Sequence, residues 1–261
     1  MSGPTPQAVE GGIMIRLMRF AAVSASLILL WHLLVVMTGL PPFILPGPMR
    51  VAAALTGNIE LIGHHALVTI AEVLLGLGLG SLLGAMTAIG LAISPMARTL
   101  LRPMMVISQA LPVFALAPLL TLWLGYGLWP KVIMALLIIY FPVTSAFFDG
   151  LMATPRGMLD LARVMNGQPW RIMAHIRIPA GLPGLASGLK LAAVYAPIGA
   201  IIGEWVGASQ GLGYLMLLAN GRAKTDLMFA ALIVIVIITL SLHASVDRLC
   251  RVLARRMQFD A

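Results

Sequence analysis

Charge is what this sequence has least of. Asp, Glu, Lys and Arg together make up 10% of it, against roughly 25% in a typical soluble domain. Hydrophobic residues make up 60%, and the mean hydropathy is +1.00. That is too much apolar surface for a single core of 261 residues, so the solvent is a bilayer. Acids are the scarcer sign, 9 against 17 Lys and Arg, leaving a formal charge of +8. In a soluble protein such an excess would point to nucleic acid. In a membrane protein the cations sort to one face instead, and no nucleic-acid partner is expected.

Cysteine is nearly absent. Cys250 stands alone, which excludes an intrachain disulfide and reads as a packing or surface thiol. His32, His64, His65, His175 and His243 form no HExxH or Cys-paired pattern, so no metal or cofactor is expected. There is no G-x-x-x-x-G-K-[ST] loop to cradle a nucleotide. There is also no G-x-S-x-G and no Ser, His and acid trio. Glu72, Asp149 and Glu204 fall near the ends of apolar runs, a poor basis for an intramembrane protease. No catalytic residue is expected, and the chain does not read as an enzyme.

What is present is a series of apolar runs. Residues 1–12 are polar and Gly/Pro-rich and read as disordered. The runs Phe20–Leu40, Ala66–Ile93, Pro103–Leu124, Val132–Gly150, Leu182–Trp205 and Leu227–Ala244 predict six spanning helices, each long enough at about 1.5 Å per residue. A secretory signal peptide has a shorter apolar core than the first of these. Pro41, Pro42, Pro46 and Pro48 end the first run, and a short amphipathic helix is expected over Met49–Asn58. In the second run Gly76, Gly80 and Gly84 recur every four residues, a small-residue face for close helix contact. The third run contains Pro112 and Pro118 and is expected to kink. Gly125–Lys131 reads as a turn, and Val206–Asp226 as a Gly-rich connection.

The cations orient the chain. Arg16, Arg19, Arg98, Arg102, Arg156, Arg163, Arg171, Arg177, Arg248, Arg251, Arg255 and Arg256 flank one side of the runs. Arg50, Lys131, Arg222 and Lys224 flank the other. Twelve against four puts both termini and the 151–180 interval in the cytoplasm by the positive-inside rule. The expected organisation is a cytoplasmic segment over 1–19, a transmembrane region over 20–247 and a cationic cytoplasmic tail over 248–261.

Polar positions in the runs need an account. Glu72 reads as interfacial, and Lys190 as a snorkelling side chain. Glu204 closes a sharply apolar helix and is a candidate for a gating or structural hydrogen bond. Gln109, Pro112, Tyr195, Pro197 and Glu204 are taken as candidates for a solute path, with Ser108 and Asn220 as further polar positions.

The longest markedly polar interval is Asp160–Pro179, D-L-A-R-V-M-N-G-Q-P-W-R-I-M-A-H-I-R-I-P. It reads as helix, tight turn, helix, broken at Asn166, Gly167 and Pro169. This interval resembles the E-A-A loop of bacterial ABC importer permeases: E-A-A, three residues, G, nine residues, I-x-L-P. Asp160, Leu161 and Ala162 stand at E-A-A, Asn166 at the glycine, and Ile176, Ile178 and Pro179 at I-x-L-P. Asn tolerates a left-handed backbone, so Asn166-Gly167 is expected to keep the turn. L-P-G-P-M-R-V at 45–51, Q-A-L-P at 109–112, A-P-L at 117–119, E-W-V-G-A-S-Q-G-L-G-Y-L at 204–215 and T-D-L-M-F-A at 225–230 resemble the nitrate, sulfonate and taurine branch. Within it, Y-A-P-I-G-A-I-I-G-E-W at 195–205 and N-G-R at 220–222 look most similar to permeases assigned to pyrimidine precursors of thiamine. Riboflavin, sulfonate, taurine and nitrate permeases are the neighbouring alternatives.

The resemblance implies an all-α, polytopic type I ABC importer permease fold with six transmembrane helices and a cytoplasmic coupling helix. It implies a homodimer of permease subunits in the bacterial inner membrane, a cytosolic ABC ATPase dimer and a periplasmic or extracellular solute-binding protein. On this alignment Asp160, Ala162, Arg163, Asn166, Gly167, Trp170, Arg171, Ile176 and Pro179 would contact or shape the ATPase contact. The rival class is a stand-alone secondary carrier or channel, which calls for ion-coupling residues or inverted repeats; neither is evident. A membrane enzyme lacks its catalytic constellation.

Overall fold

A computed structural model describes the backbone of residues 6–259 and the side chains of residues 18–19 and 22–254. Residues 1–5 of the stretch read as disordered lie outside it, as do the side chains of Arg16, Arg255 and Arg256; the rest of that stretch, residues 6–12, is helical, continuous with the first apolar run. The described chain is all-helical: α1 (Pro6–Thr38), α2 (Pro48–Gly57), α3 (Ile59–Ile93), α4 (Pro95–Ala110), α5 (Val113–Leu124), α6 (Leu128–Met152), α7 (Arg156–Val164), α8 (Pro169–Ile172), α9 (Ile178–Gly207), α10 (Leu212–Gly221) and α11 (Thr225–Phe259). A π-helical turn, Met173–Arg177, joins α8 to α9. Pro48, Pro95 and Pro169 each open a helix, where the missing N–H costs nothing. Ser94 caps α4 by accepting from the Ala97 N–H.

Among the described residues, four helical stretches are long and apolar enough to cross a membrane: Ile59–Ile93, Leu128–Met152, Pro169–Gly207 and Thr225–Ala254. The pair α4 and α5 makes a fifth if its two arms count together, and Ala22–Thr38 is the fully described apolar part of α1. Three further sequence expectations change. The third run does not merely kink but bends by 97° at Leu111 and Pro112. Proline disfavours a helical conformation in the residue before it, and Leu111 is extended, at φ −78° and ψ 124°. The Gly125–Lys131 turn is shorter than expected, because α6 already starts at Leu128. The 206–226 connection contains α10, since its glycines punctuate only the ends of an apolar stretch.

The chain forms two compact units. In Met1–Ile59 with Leu218–Ala230, Trp31 stacks on Phe229 with ring centroids 5.8 Å apart, and the Thr225 hydroxyl donates to the Pro42 carbonyl at 2.9 Å. In Glu60–Leu217 with Ala231–Ala261, α3 and α9 both close on α6. The Gly76, Gly80 and Gly84 face lies where periodicity put it. A methyl group added at Gly76 would stand 2.5 Å from the Ala135 Cβ, one at Gly80 2.7 Å from the Ile139 side chain, and one at Gly84 3.1 Å from Val143. From α9, Gly184 is seated against the Ala146 carbonyl, Gly199 against Ala135 and Gly203 against Lys131. Where lipid supplies no hydrophobic drive between helices, such close approach supplies the van der Waals contact. Val73, Ile139, Val143, Ala192, Ala196 and Ala200 fill the core of this slab.

Candidate functional site

The first candidate site is the polar interval. α7 carries Asp160, Ala162 and Arg163, and α8 carries Trp170 and Arg171. Asn166 sits between them at φ +60°, the left-handed conformation expected of the residue at the glycine position. The turn closes by bonds from the Asn166 N–H to the Arg163 carbonyl and from the Gly167 N–H to the Ala162 carbonyl, both 2.9 Å. Gly167 is needed for a different reason: a Cβ there would lie 2.7 Å from the Ala162 carbonyl oxygen. Arg163 pairs with Asp160 at 3.0 Å, and the Trp170 indole donates to the Gln168 side chain at 2.6 Å. The Arg171 guanidinium lies over the Trp170 ring, 5.3 Å from its centroid. Met158, Leu161, Val164, Met165 and Trp170 are all exposed around this turn, an apolar surface on a polar loop. Ile176 is half-buried in the π turn and Pro179 is the second residue of α9.

The second is a groove of about 460 Å³ lined by Gln109, Val113, Ile138, Phe141, Pro142, Leu191, Tyr195 and Ile198. It brings Gln109 and Tyr195 together as polar groups on an apolar wall, the mixture that small-molecule sites favour. The other path candidates fall elsewhere. Pro112 heads α5 at the bend. Pro197 is buried within α9. Glu204 is 1% exposed and turns into the slab.

Glu204 is part of a third cluster that sequence reading missed. Its Oε1 accepts from the Thr69 hydroxyl at 2.6 Å, and its Oε2 accepts from the Gly213 N–H. The Thr69 hydroxyl in turn accepts from the Leu212 N–H at 2.8 Å, and His65 Nδ1 accepts from the Gly211 N–H at 3.0 Å. Three successive N–H groups at the start of α10, which have no partner within their own helix, are thus met by side chains of α3 and α9. An acceptor at Nδ1 places the His65 proton on Nε2. Gly211, at φ +111°, passes so close to the Glu204 carboxylate that no side chain fits there. Alongside, Lys131 Nζ pairs with Glu72 Oε1 at 2.7 Å, while Glu72 Oε2 has no hydrogen-bond partner. Glu72 is 0% exposed and Lys131 6%, so the Glu72 carboxyl is enclosed by protein and not open to solvent. A charge is tolerated at such depth because a partner helix supplies its counterion. The available signal was three ionisable groups, Glu72, Lys131 and Glu204, at the same expected end of the second, fourth and fifth runs.

Comparison with known proteins adds to this geometry. Residues 80–259 match the family of the binding-protein-dependent transport system inner membrane component. A probable ABC transporter permease protein of Haemophilus influenzae is 48% identical over 233 residues, covering 89% of this chain and 95% of that one. The formylaminopyrimidine transport permease protein ThiX of Halalkalibacterium halodurans is 34% identical over 189 residues, 72% of this chain and 75% of its own. Among solved structures, an inward-facing form of the MetNI methionine ABC transporter superposes with a TM-score of 0.66 at 20% identity, covering 75% of this chain and 97% of that one.

Proposed function

Because this chain belongs to the family of binding-protein-dependent transport system inner membrane components, we propose that it carries a small planar heteroaromatic solute, a pyrimidine precursor of thiamine, along a path that includes the Gln109–Tyr195 groove. The chain is an ABC importer permease subunit, a multi-pass inner-membrane protein with the type I permease fold; a separate ATPase subunit hydrolyses the ATP. An ATPase and a solute-binding protein are therefore its partners.

In our reading two copies of the permease form the pathway. Both termini and the 160–179 loop face the cytoplasm, as the distribution of cations supports. The ATPase contact is the turn around Asn166, with Asp160, Ala162, Arg163, Gly167, Trp170, Arg171, Ile176 and Pro179 contacting the ATPase or shaping the turn. The observation that carries this is the left-handed Asn166 at the apex of an exposed apolar surface. A load-transmitting contact must be short and rigid, and this one is cross-bonded within itself and tied to α6 and α9. The solute class is supported by the relative named for formylaminopyrimidine and by a groove offering Phe141 and Tyr195 rings with one amide, Gln109. It contains no cationic side chain for nitrate or a sulfonate.

Two measurements test the reading. The permease co-purifies with an ATPase, and Gly167→Val, which drives a side chain into the Ala162 carbonyl, removes that association; transport that persists with no ATPase bound sinks it. The partner binding protein takes up a pyrimidine in calorimetry; binding of taurine or riboflavin in its place overturns the solute assignment and leaves the permease assignment standing.

A further inference from the structure

Helix α3 is gripped at both ends by side chains that the transport reading has not used. At its inner end the last carbonyls lack intrahelical donors. Arg98 Nε donates to the Leu91 carbonyl at 3.3 Å. The Ala92 carbonyl accepts from both Arg98 and Arg177, at 3.4 and 3.3 Å. Arg177 ends the π turn that leads from the Asn166 turn into α9. Met173, at the start of that turn, is buried with Ala88, Leu91, Ala92 and Phe147. The chain connects the Asn166 turn to α6 and α9 but not to α3; besides the packing of α3 on α6, Arg177 and Met173 tie α3 directly to the π turn that follows the Asn166 turn. A π turn is a feature often found at functional junctions.

At the outer end, His65 and Thr69 of α3 hold the first N–H groups of α10, and Thr69 also bonds Glu204. Between the two ends the glycine face seats α3 on α6 with no slack. A close-packed contact of this kind shifts as a body and does not deform continuously. From Thr69 to Ala92 the helix runs about 35 Å, at 1.5 Å per residue. It therefore spans from the turn that meets the ATPase to the element capped at the opposite end of the slab.

We propose that Arg177 and Thr69 are positioning residues of the transport cycle, acting through α3. Arg177 makes α3 follow the Asn166 turn, and Thr69 passes that movement to the N-terminus of α10. The inference rests on the Asn166 turn being the ATPase contact. Neither residue touches solute or ATPase in this scheme. Each holds one end of the element between them.

The test is the number of ATP molecules hydrolysed per solute taken up by the complete transporter, with ATPase and binding protein, in vesicles. Thr69→Val removes the hydroxyl at nearly constant volume. Arg177→Met keeps the side-chain stem and removes the donors. Each raises the ATP cost of uptake by about fivefold or more, the lower range of ordinary site-to-site coupling, with the ATPase still bound on purification. The double variant is no worse than the worse single, because both cut one linkage. Thr69→Ser restores the wild-type ratio, which a loss of packing alone would not allow. Thr69→Ala gives the same readout should the valine variant fail to accumulate. An unchanged ratio in either single variant, or losses that multiply in the double, overturns the proposal. The docking reading fails separately: if Gly167→Val keeps its ATPase, the turn is not the contact, whatever the stoichiometry shows at Thr69.

Discussion

Lys131 matters most for what its removal leaves behind. Glu72 is fully buried and its second oxygen has no partner, so Lys131→Met strands a carboxylate in a low-dielectric interior. Breaking such a pair costs about 3–5 kcal/mol, whereas replacing both partners by apolar residues is close to neutral. Thermal unfolding in detergent should show Lys131→Met strongly destabilised and Glu72→Leu/Lys131→Met near wild type; equal stability of the single variant would remove the buried-pair account. Glu204→Gln puts an amide where two donors already converge. It also takes a negative charge from the start of α10, worth about 0.3–1 kcal/mol in helix-dipole terms alone. Amide exchange at Gly213 should accelerate first, and unchanged protection there would show that the bond contributes nothing. At Asn166, a φ of +60° costs an ordinary L-residue about 1–2 kcal/mol. Asn166→Gly should keep the ATPase bound on purification and Asn166→Val should weaken its retention; equal retention of both would mean that the turn reshapes freely.

Elements pack here by subtraction of side chains. Gly76 and Gly78 sit two residues apart on α3, yet a methyl group at Gly76 meets the Ala135 Cβ while nothing lies within 4 Å of one at Gly78. Gly76→Ala should therefore lower the unfolding temperature, since overpacking costs about 1–3 kcal/mol. Gly78→Ala should raise it, through the roughly 0.8–1.0 kcal/mol helix preference of Ala over Gly. Shifts of the same sign would mean that α3 does not present this face to α6. The bend at Leu111 follows the same local logic. Pro118 is accommodated inside α5, whereas Pro112 forces its predecessor out of helical geometry and turns the chain. Both prolines are plain in the sequence, and the choice between a kink and a break is made by what surrounds them.

For the molecule in its membrane, the cation distribution makes a directional prediction. Met165 and Tyr126 are both well exposed, at 74% and 85%, and they lie on opposite sides in the proposed orientation. With Cys250→Ser as background, Met165→Cys should react with an impermeant maleimide only in inside-out vesicles, and Tyr126→Cys only in right-side-out ones. The reverse pattern would invert the topology and put the Asn166 turn out of reach of any cytosolic ATPase.

Composition and periodicity alone determined that this chain is all-helical and lipid-embedded. They also placed the Gly76, Gly80 and Gly84 face, and the breakers Asn166, Gly167 and Pro169 located the turn. Those features are local: a repeat of four residues, a proline, or a residue that tolerates positive φ acts within one or two helical turns. Tertiary structure alone decided the rest. Glu72 and Lys131 are 59 positions apart, and Thr69 and Glu204 are 135 apart, so no window of sequence shows that they meet. Glu72 read singly is an interfacial acid; that it is enclosed and paired with a lysine of α6 shows only in three dimensions. Gln109 and Tyr195 share a groove while Pro197 and Glu204 do not, because the direction a side chain faces on α9 is set by which neighbour the glycines admit.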